Sequence, residues 1–331
     1  MTRKIRIIGA WLWAALLAAP ACGAEKELPT FTDAKAAGED YAVQGEYLGE
    51  LQRNDDKSKI GVQVIALGGG KFRAEVFQGG LPGEGWDRGK PQHSAEGKLE
   101  NGEVVFIGGE NAKGVVKDGG MTISTSSGQT LGTLPRVERA SKTVGEEPPE
   151  GATVLFDGSS ADNFTDGKLT EKNLLLSGCT SKQEFGDHKM HLEFRTPFMP
   201  TASGQARGNS GVYLQDRYEI QVLDSFGLEG ANNECGGVYG MKAPSVNMCY
   251  PPLAWQTYDV DFTAAKFDDA GKKSSNARLT LYHNGVKIYD DMELPNHTPG
   301  GAAKEAPGIG PLKLQDHGNP VVFRNIWVVE K

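Results

Sequence analysis

Short runs of alternating apolar and polar residues, separated by turn signals, fill the chain from about residue 38 to residue 140. Residues 61–67 and 71–77 are two such runs, and Gly68-Gly69-Gly70 separates them. A period of two interrupted by glycine is typical of β-hairpins. Asn101-Gly102 and Asp118-Gly119 precede further runs of the same kind. The pattern predicts a small antiparallel meander or barrel over roughly 100 residues.

The same pattern returns after residue 152. Residues 277–289 carry two alternating runs around Asn284-Gly285, which supplies the two positive-φ positions of a type I′ turn. Strands at short spacing without a helical pattern favour two packed antiparallel sheets. Residues 141–152, SKTVGEEPPEGA, lack periodicity and contain two prolines and three glutamates. We therefore expect an all-β protein with a small β domain (25–140), a linker (141–152) and a β-sandwich domain (153–331).

Composition supports this division. The chain has 331 residues, of which 44 are glycine. The length suggests about two domains, and a glycine share roughly twice the usual ~7% indicates many tight turns. An all-helical bundle is excluded.

The first 24 residues resemble an export signal. Arg3, Lys4 and Arg6 form a basic start, an apolar run extends from Ile7 to Ala19, and Cys22-Gly23-Ala24 offers small residues for cleavage. We expect removal of residues 1–24 and an extracytoplasmic (periplasmic or secreted) mature protein. The alternatives are a membrane anchor, for which the apolar run is barely long enough, and lipid attachment at Cys22.

Removal of that segment changes the charge. It takes out three basic residues, so 32 Lys and Arg remain against 43 Asp and Glu, a net charge of −11. An acidic surface repels nucleic-acid phosphates and anionic lipids. We therefore expect no nucleic-acid partner and no stable membrane insertion, and a neutral ligand such as a carbohydrate fits better.

Three cysteines remain in the mature chain. Cys235 and Cys249 enclose a short loop, and in an oxidising compartment we expect them to form a disulfide worth roughly 3 kcal/mol. Cys179 is left as a free thiol. The chain has neither CxxC nor HxxxH spacing, so a zinc site is not expected.

Polar side chains of an unusual type alternate outward on four predicted strands, at residues 190–195, 209–215, 218–222 and 312–317. If these strands are neighbours, one sheet face carries Glu193, Arg195, Asn209, Glu219, Gln221, Gln315 and His317. Amides and carboxylates bind sugar hydroxyls well, and carboxylates and imidazoles transfer protons. The plainer interpretation is an ordinary solvated face. Tyr239 and Trp255 are either core aromatics or stacking platforms for a sugar ring.

The motifs of this region resemble those of the 3-keto-disaccharide hydrolase domain family of bacteria. The similarity covers about residues 152–330 and rests on motifs in the family's order: Leu155-Phe156-Asp157-Gly158, Gly208-Asn209-Ser210-Gly211-Val212-Tyr213-Leu214, Tyr218-Glu219-Ile220-Gln221-Val222, Trp255-Gln256-Thr257-Tyr258-Asp259 and Leu314-Gln315-Asp316-His317-Gly318. It implies a concanavalin A-like jelly roll, a secreted or periplasmic setting, and hydrolysis of glycosides oxidised to a ketone at C3. It implies nothing about the smaller β domain.

The implied chemistry assigns roles to the polar face. A C3 ketone acidifies the C2 proton, so the site needs a base near C2, donors near the C3 oxygen and an acid near the glycosidic oxygen. We expect Glu219 to be the base, Arg195 or Asn209 to hold the enolate, and His317 or Glu193 to be the acid. Gln221, Gln315, Tyr239 and Trp255 are expected to bind substrate, and no cofactor or metal is expected. The alternatives are direct hydrolysis by the Glu193 and Glu219 pair and a non-catalytic carbohydrate-binding module.

Overall fold

The structure is a computed structural model that describes residues 28–109, 112–301 and 303–331. The expected signal peptide and Cys22 lie outside the described residues. None of the helices formed within those ranges is long and apolar enough to cross a bilayer. The described chain is almost entirely β-structure, as the alternation predicts.

The first unit is a closed antiparallel barrel. A single short helix, α1 (Gly38–Val43), precedes it among the described residues. Within residues 45–137, apart from 110 and 111, eight strands close in the order β1-β10-β9-β8-β7-β6-β3-β2. They are β1 (Gly45–Arg53), β2 (Asp56–Gly68), β3 (Lys71–Gln78), β6 (Gln92–Glu100), β7 (Glu103–Ile107), β8 (Ala112–Lys117), β9 (Gly120–Thr125) and β10 (Thr130–Val137); β4 (Leu81–Pro82) and β5 (Gly85–Trp86) pair outside the barrel.

The second unit is a sandwich of two antiparallel sheets. In its described part, seven strands form one sheet, here called the large sheet: β11 (Thr153–Phe156), β13 (Leu175–Leu176), β15 (His188–Arg195), β18 (Gln256–Thr263), β21 (Ala277–His283), β22 (Val286–Leu294) and β24 (Val322–Glu330). Five form the small sheet, in the order β12 (Phe164–Thr165), β14 (Cys179–Phe185), β23 (Gly310–Leu314), β16 (Ser210–Leu214) and β17 (Tyr218–Val222). A short pair, β19 (Lys266–Phe267) and β20 (Lys273–Ser275), completes the unit.

Turn chemistry explains the hairpins. Asn284 and Gly285 join β21 to β22 with φ of 53° and 76°, and Asn101-Gly102 joins β6 to β7 in the same way, with φ of 54° and 80°. Both residues of a type I′ turn need positive φ, which Asn and Gly tolerate.

The barrel and the sandwich share buried side chains. Phe77 and Trp86 of the barrel unit pack in the core of the sandwich, while Phe198 of the sandwich is fully buried in the barrel core. Arg139, which follows β10, is ion-paired with Glu46 of the barrel at 2.5 Å and lies over the Tyr250 ring of the sandwich, 4.9 Å from its centroid. Such burial contributes several kcal/mol per large side chain, so the two units stabilise each other.

Residues 141–146, expected to be part of a linker, are packed against the large sheet; we call them the strap. The Ser141 and Thr257 hydroxyls are 2.6 Å apart, and Thr143 donates to Asp259 at 2.6 Å. The Gly145 amide donates to Glu193 Oε1 at 2.6 Å. The strap is attached through hydrogen bonds rather than apolar side chains, and its sequence therefore lacks periodicity.

Candidate functional site

Glu219 lies on β17, the edge strand of the small sheet. Its neighbour Tyr218 turns inward and packs on Phe262 of the large sheet, with ring centroids 5.5 Å apart. Alternation therefore directs Glu219 to the outer face. Backbone contacts fix the strand, because the Glu219 amide donates to Thr298 Oγ1 at 2.9 Å and its carbonyl accepts from the Tyr239 amide at 3.1 Å. The loops that supply these contacts leave the Glu219 side chain only 3% exposed.

The carboxylate ends a short hydrogen-bond chain. Tyr213, opposite it on β16, donates its hydroxyl to Glu219 Oε2 at 2.7 Å. Gln315 Nε2 in turn donates to the Tyr213 hydroxyl at 3.0 Å. With its amide nitrogen turned towards Glu219, Gln221 donates to Oε1 at 2.9 Å. Both carboxylate oxygens are thus held by neutral donors.

This setting changes the acidity of the carboxyl group. Burial raises the pKa of Glu219 to about 7, and the hydrogen bond from Tyr213 and the nearby Lys313 charge only partly offset that effect. Lys313 lies on β23, with its ammonium 5.4 Å from the Tyr213 ring centroid and 3.2 Å from Asp216 Oδ1. A carboxyl group with a pKa near the working pH is suited to proton transfer.

Two glycines leave room around the carboxylate. A Cβ at Gly211 would lie 2.6 Å from Glu219 Oε1, although the backbone there is not in the left-handed region. A Cβ at Gly300 would lie 3.6 Å from the Tyr213 hydroxyl and 3.9 Å from Glu219 Oε2, and Gly300 is exposed. A larger residue at Gly211 would therefore displace the carboxylate, and the exposed Gly300 borders it on another side.

Asn209 and Gln205 continue the polar surface beside Gln221. Asn209 Nδ2 donates to the Gln205 carbonyl at 2.7 Å, and the Asn209 amide donates to Asn319 Oδ1 at 2.8 Å. Asn209 is 1% exposed, whereas the Gln205 side chain is half-buried. Behind them, Arg207 is ion-paired with Asp224 at 2.7 Å and donates to the Ala66 carbonyl of the barrel at 3.3 Å. The barrel thus supports one edge of the site.

His317 belongs to a loop rather than to a strand. β23 ends at Leu314, and His317 is exposed two residues beyond Gln315. Residues before and after His317 in this loop contact the site: Gln315 donates to the Tyr213 hydroxyl, and Asn319 accepts from the Asn209 amide. This arrangement places His317 at the rim of the site.

The expectation that one face carries all seven polar residues is wrong for Glu193 and Arg195. Both lie on β15, which pairs with β18 and β24 of the large sheet, whereas Glu219 lies on the small sheet. Arg195 and Arg324 stack on Trp255, with guanidinium carbons 5.1 and 4.0 Å from the ring centroid. Trp255 is therefore also apart from Glu219.

Glu193 is instead the centre of a buried ionic network. Burial opposes its ionisation, yet His191, Asn325, the Gly145 amide and Arg324 outweigh that cost and lower the pKa of Glu193 to about 2. His191 is fully buried; that burial disfavours its charge, but Asp259 at 2.6 Å and Glu193 at 3.7 Å raise the pKa of His191 to about 9. Since the strap covers Glu193, this carboxylate is structural.

Tyr239 lies beside the small-sheet site through its backbone, since its amide donates to the Glu219 carbonyl at 3.1 Å. The residue is half-buried and follows Val238, which bridges to Ile220 of β17. Tyr213, Lys313 and Gly300 were not expected as site residues. Strand alternation puts Tyr213 on the same outward side as Asn209, so the sequence contained a signal for Tyr213.

Cys235 and Cys249 do not form the expected disulfide in this structure. All three described cysteines are free and buried. Cys235 Sγ lies 3.2 Å from the Tyr258 hydroxyl, and Cys249 Sγ donates to the Leu223 carbonyl at 3.5 Å. Each thiol thus has its own hydrogen-bond partner in place of the expected covalent bond.

One group of side chains in the described residues has the proximity needed to hold a cation: Glu146, His191 and Asp259, with ligand atoms within 4.8 Å of one another. His191 already pairs with Asp259 there at 2.6 Å, and its raised pKa favours the protonated ring, so a proton can supply the positive charge of this group.

Comparison with known proteins identifies the sandwich. The family described as "3-keto-alpha-glucoside-1,2-lyase-like domain" matches residues 151–329, more than half of the chain. The chain belongs to this family. The lyase-like domain includes every residue of the Glu219 site, and the barrel lies outside it.

Solved structures agree with this assignment. One from Parabacteroides distasonis ATCC 8503, titled a "putative glycosyl hydrolase", is 31% identical with a TM-score of 0.51, over 55% of this chain and 85% of that one. A second from the same organism, with the same title, is 18% identical with a TM-score of 0.41, over 55% and 94%. A search of curated proteins found no match. The lyase-like domain is thus similar in sequence and fold to a protein titled a putative glycosyl hydrolase.

Proposed function

We propose that the protein cleaves glycosides carrying a ketone at C3, with Glu219 as the base that removes the C2 proton. The observation that carries this proposal is the position of Glu219: a buried carboxyl group with a pKa of about 7, hydrogen-bonded to Tyr213 and surrounded by polar side chains of the lyase-like domain. A solvated face would leave its carboxyl groups at ordinary pKa values.

The first step is an elimination. Glu219 takes the C2 proton, the C2–H electrons form a C1–C2 double bond through the enolate of the C3 ketone, and the C1–O bond breaks. The departing alcohol oxygen takes a proton from an acid. Water then adds across the double bond, its oxygen to C1 and its proton to C2, to give the free keto-sugar. The balance requires only a base, an acid and water.

Other described residues are candidates for the remaining roles. Lys313, whose charge acts on Glu219, and the Gln221 amide, 2.9 Å from Glu219 Oε1, could stabilise negative charge on the C3 oxygen. Asn209, directly before β16, is a further candidate. His317, at the rim, is the candidate acid. Arg195 is not available for the enolate, because it lies on the large sheet.

Direct hydrolysis by Glu193 and Glu219 is not supported by this arrangement. The two-carboxylate mechanism needs the groups about 5–10 Å apart on either side of one bond. Here they belong to the outer faces of opposite sheets, and the strap covers Glu193. The elimination route needs only one carboxylate and therefore fits better.

We also propose that the mature protein works outside the cytoplasm. The basic start, the apolar run and Cys22-Gly23-Ala24 support export. N-terminal sequencing of the native protein should find a start near Glu25, and a start at Met1 or Thr2 would contradict it.

The function is tested with purified protein on 3-keto-disaccharides and on the parent disaccharides side by side. We expect cleavage of the keto-glycosides alone, and a loss of roughly 10²- to 10⁴-fold in kcat for Glu219→Gln with binding retained. Glu193→Gln is the control, since it changes a carboxylate outside the site. Cleavage of the parent sugars at equal rate would refute the elimination chemistry, and binding without cleavage would replace it with a carbohydrate-binding module.

A further inference from the structure

The barrel contains a second cavity, separate from the Glu219 site. Its volume is about 420 Å³. Its wall includes the ends of strands β1, β3 and β7 and the starts of β2, β6 and β8. Neighbouring strands of the barrel are antiparallel, so these termini meet at one mouth of the barrel.

The opposite end of the barrel is closed. Tyr47, Val64, Phe72 and Phe198 are at most 1% exposed there, and Tyr41 packs edge-on against Phe198 with centroids 5.3 Å apart. A closed eight-stranded barrel is just wide enough to be filled by side chains or to hold one small ligand. In this barrel one half is filled and the other half is open.

Small residues create the open half. Ala74 and Ala95 line the cavity, and larger residues at these positions would fill it. The Phe106 ring lies over Gly97, and a Cβ added at Gly97 would lie only 2.4 Å from that ring. A Cβ at Gly114 would meet only ordinary contacts, 3.7 Å from Phe106 Cβ and 3.8 Å from Met121 Sδ. A larger side chain at Gly114 can therefore be accommodated, and it would occupy the cavity.

The lining has an apolar body and a cationic rim. Ile60, Phe106, Met121 and Ile123 supply most of the apolar surface, and each is at most 8% exposed. The charged residues among the described lining are Arg53 and Lys113, together with His93, and none of the described lining residues is a carboxylate. His93 lies on β6 and not in the polar loop that its sequence context suggests.

We propose that this cavity binds a small amphipathic anion, an apolar chain or ring carrying a carboxylate, with the apolar part inside the barrel and the carboxylate at Lys113. The volume falls in the range of small-molecule sites, which combine a mostly apolar lining with a few polar groups. Apolar ligand surface buried against this lining contributes roughly 25 cal/mol per Å². Lys113 at the mouth favours a negatively charged head group.

The test uses the full chain, with anilinonaphthalene sulfonate as a fluorescent anionic probe and decanoate, decanol and glucose as competitors. We expect decanoate to displace the probe, decanol to do so at least several-fold less well, and glucose not at all. Gly114→Val should weaken decanoate binding at least tenfold by filling the cavity, while Val105→Leu, which adds bulk to the outer barrel surface, should not.

Lys113→Gln isolates the head-group contact. Lys113 is exposed, so the substitution leaves the barrel core intact, and we expect it to weaken decanoate but not decanol. Keto-glycoside cleavage should be unchanged in Gly114→Val, since Gly114 is outside the lyase-like domain. Equal affinity of wild type and Gly114→Val for decanoate would overturn the cavity as the binding site, and equal affinity for decanoate and decanol would overturn the anionic preference.

Discussion

Replacing Glu219 by Gln should make the protein more stable at alkaline pH while abolishing its activity. The Glu219 carboxyl group has a folded-state pKa of about 7, against 4.5 for the unperturbed group. Each pKa unit corresponds to about 1.36 kcal/mol, so burying the ionised group costs about 3 kcal/mol. Because the folded pKa is raised, this cost is absent below pH 4.5, grows through pH 7 and is complete above it.

The assay compares urea or thermal unfolding of wild type and Glu219→Gln at pH 5 and at pH 8.5. The difference in the free energy of unfolding between the two proteins should grow by about 3 kcal/mol in favour of Glu219→Gln, which corresponds to roughly 5 °C in Tm if the whole chain unfolds together. Glu184→Gln, an exposed position on the same sheet, is the control and should show no such change. A difference between wild type and Glu219→Gln that does not depend on pH would show that Glu219 ionises normally and would remove the basis for its role.

Three further predictions follow from the same contacts. Tyr213→Phe removes the donor to Glu219 Oε2, so the pKa of Glu219 should rise above 7 and the acid limb of the pH–rate profile should move to higher pH; an unchanged limb would contradict the contact. Glu193→Gln leaves the buried His191 charge with Asp259 alone and removes the carboxylate that pairs with Arg324. It should cost up to about 3 kcal/mol in urea unfolding, with kcat retained at temperatures where the protein is folded; a selective loss of kcat would return Glu193 to the chemistry. Trp86→Ala should destabilise the sandwich by about 3–5 kcal/mol, although Trp86 belongs to the barrel unit. The unfolding transition of the sandwich, or hydrogen exchange in its strands, measures this loss. An unchanged sandwich would mean that the two units fold independently.

Local features were predictable from the sequence because local chemistry determines them. Asn284-Gly285 needs positive φ at both residues, and this requirement defines the hairpin wherever it lies in the fold. The inward and outward alternation around Glu219 likewise follows from the strand geometry alone. These two features gave the fold class and the first candidate for the base.

The neighbours of each strand were not predictable in this way. Glu193 and Glu219 both alternate outward, but β15 pairs with β18 and β24, which are distant in sequence, and so Glu193 belongs to the other sheet. Sheet order depends on long-range packing that periodicity does not encode. The strap shows the same limit, since Thr143 and Gly145 attach it by hydrogen bonds that leave no apolar pattern.

The central claim is that Glu219 removes the C2 proton of a 3-keto-glycoside, and solvent exchange tests it most directly. Wild-type protein and Glu219→Gln are incubated in D₂O with a 3-keto-glycoside, and deuterium at C2 is followed by NMR in the recovered substrate and in the product. We predict deuterium at C2 with wild type and none above the uncatalysed rate with Glu219→Gln. Exchange at the wild-type rate in Glu219→Gln, or cleavage by wild type with the C2 proton fully retained, would contradict the account.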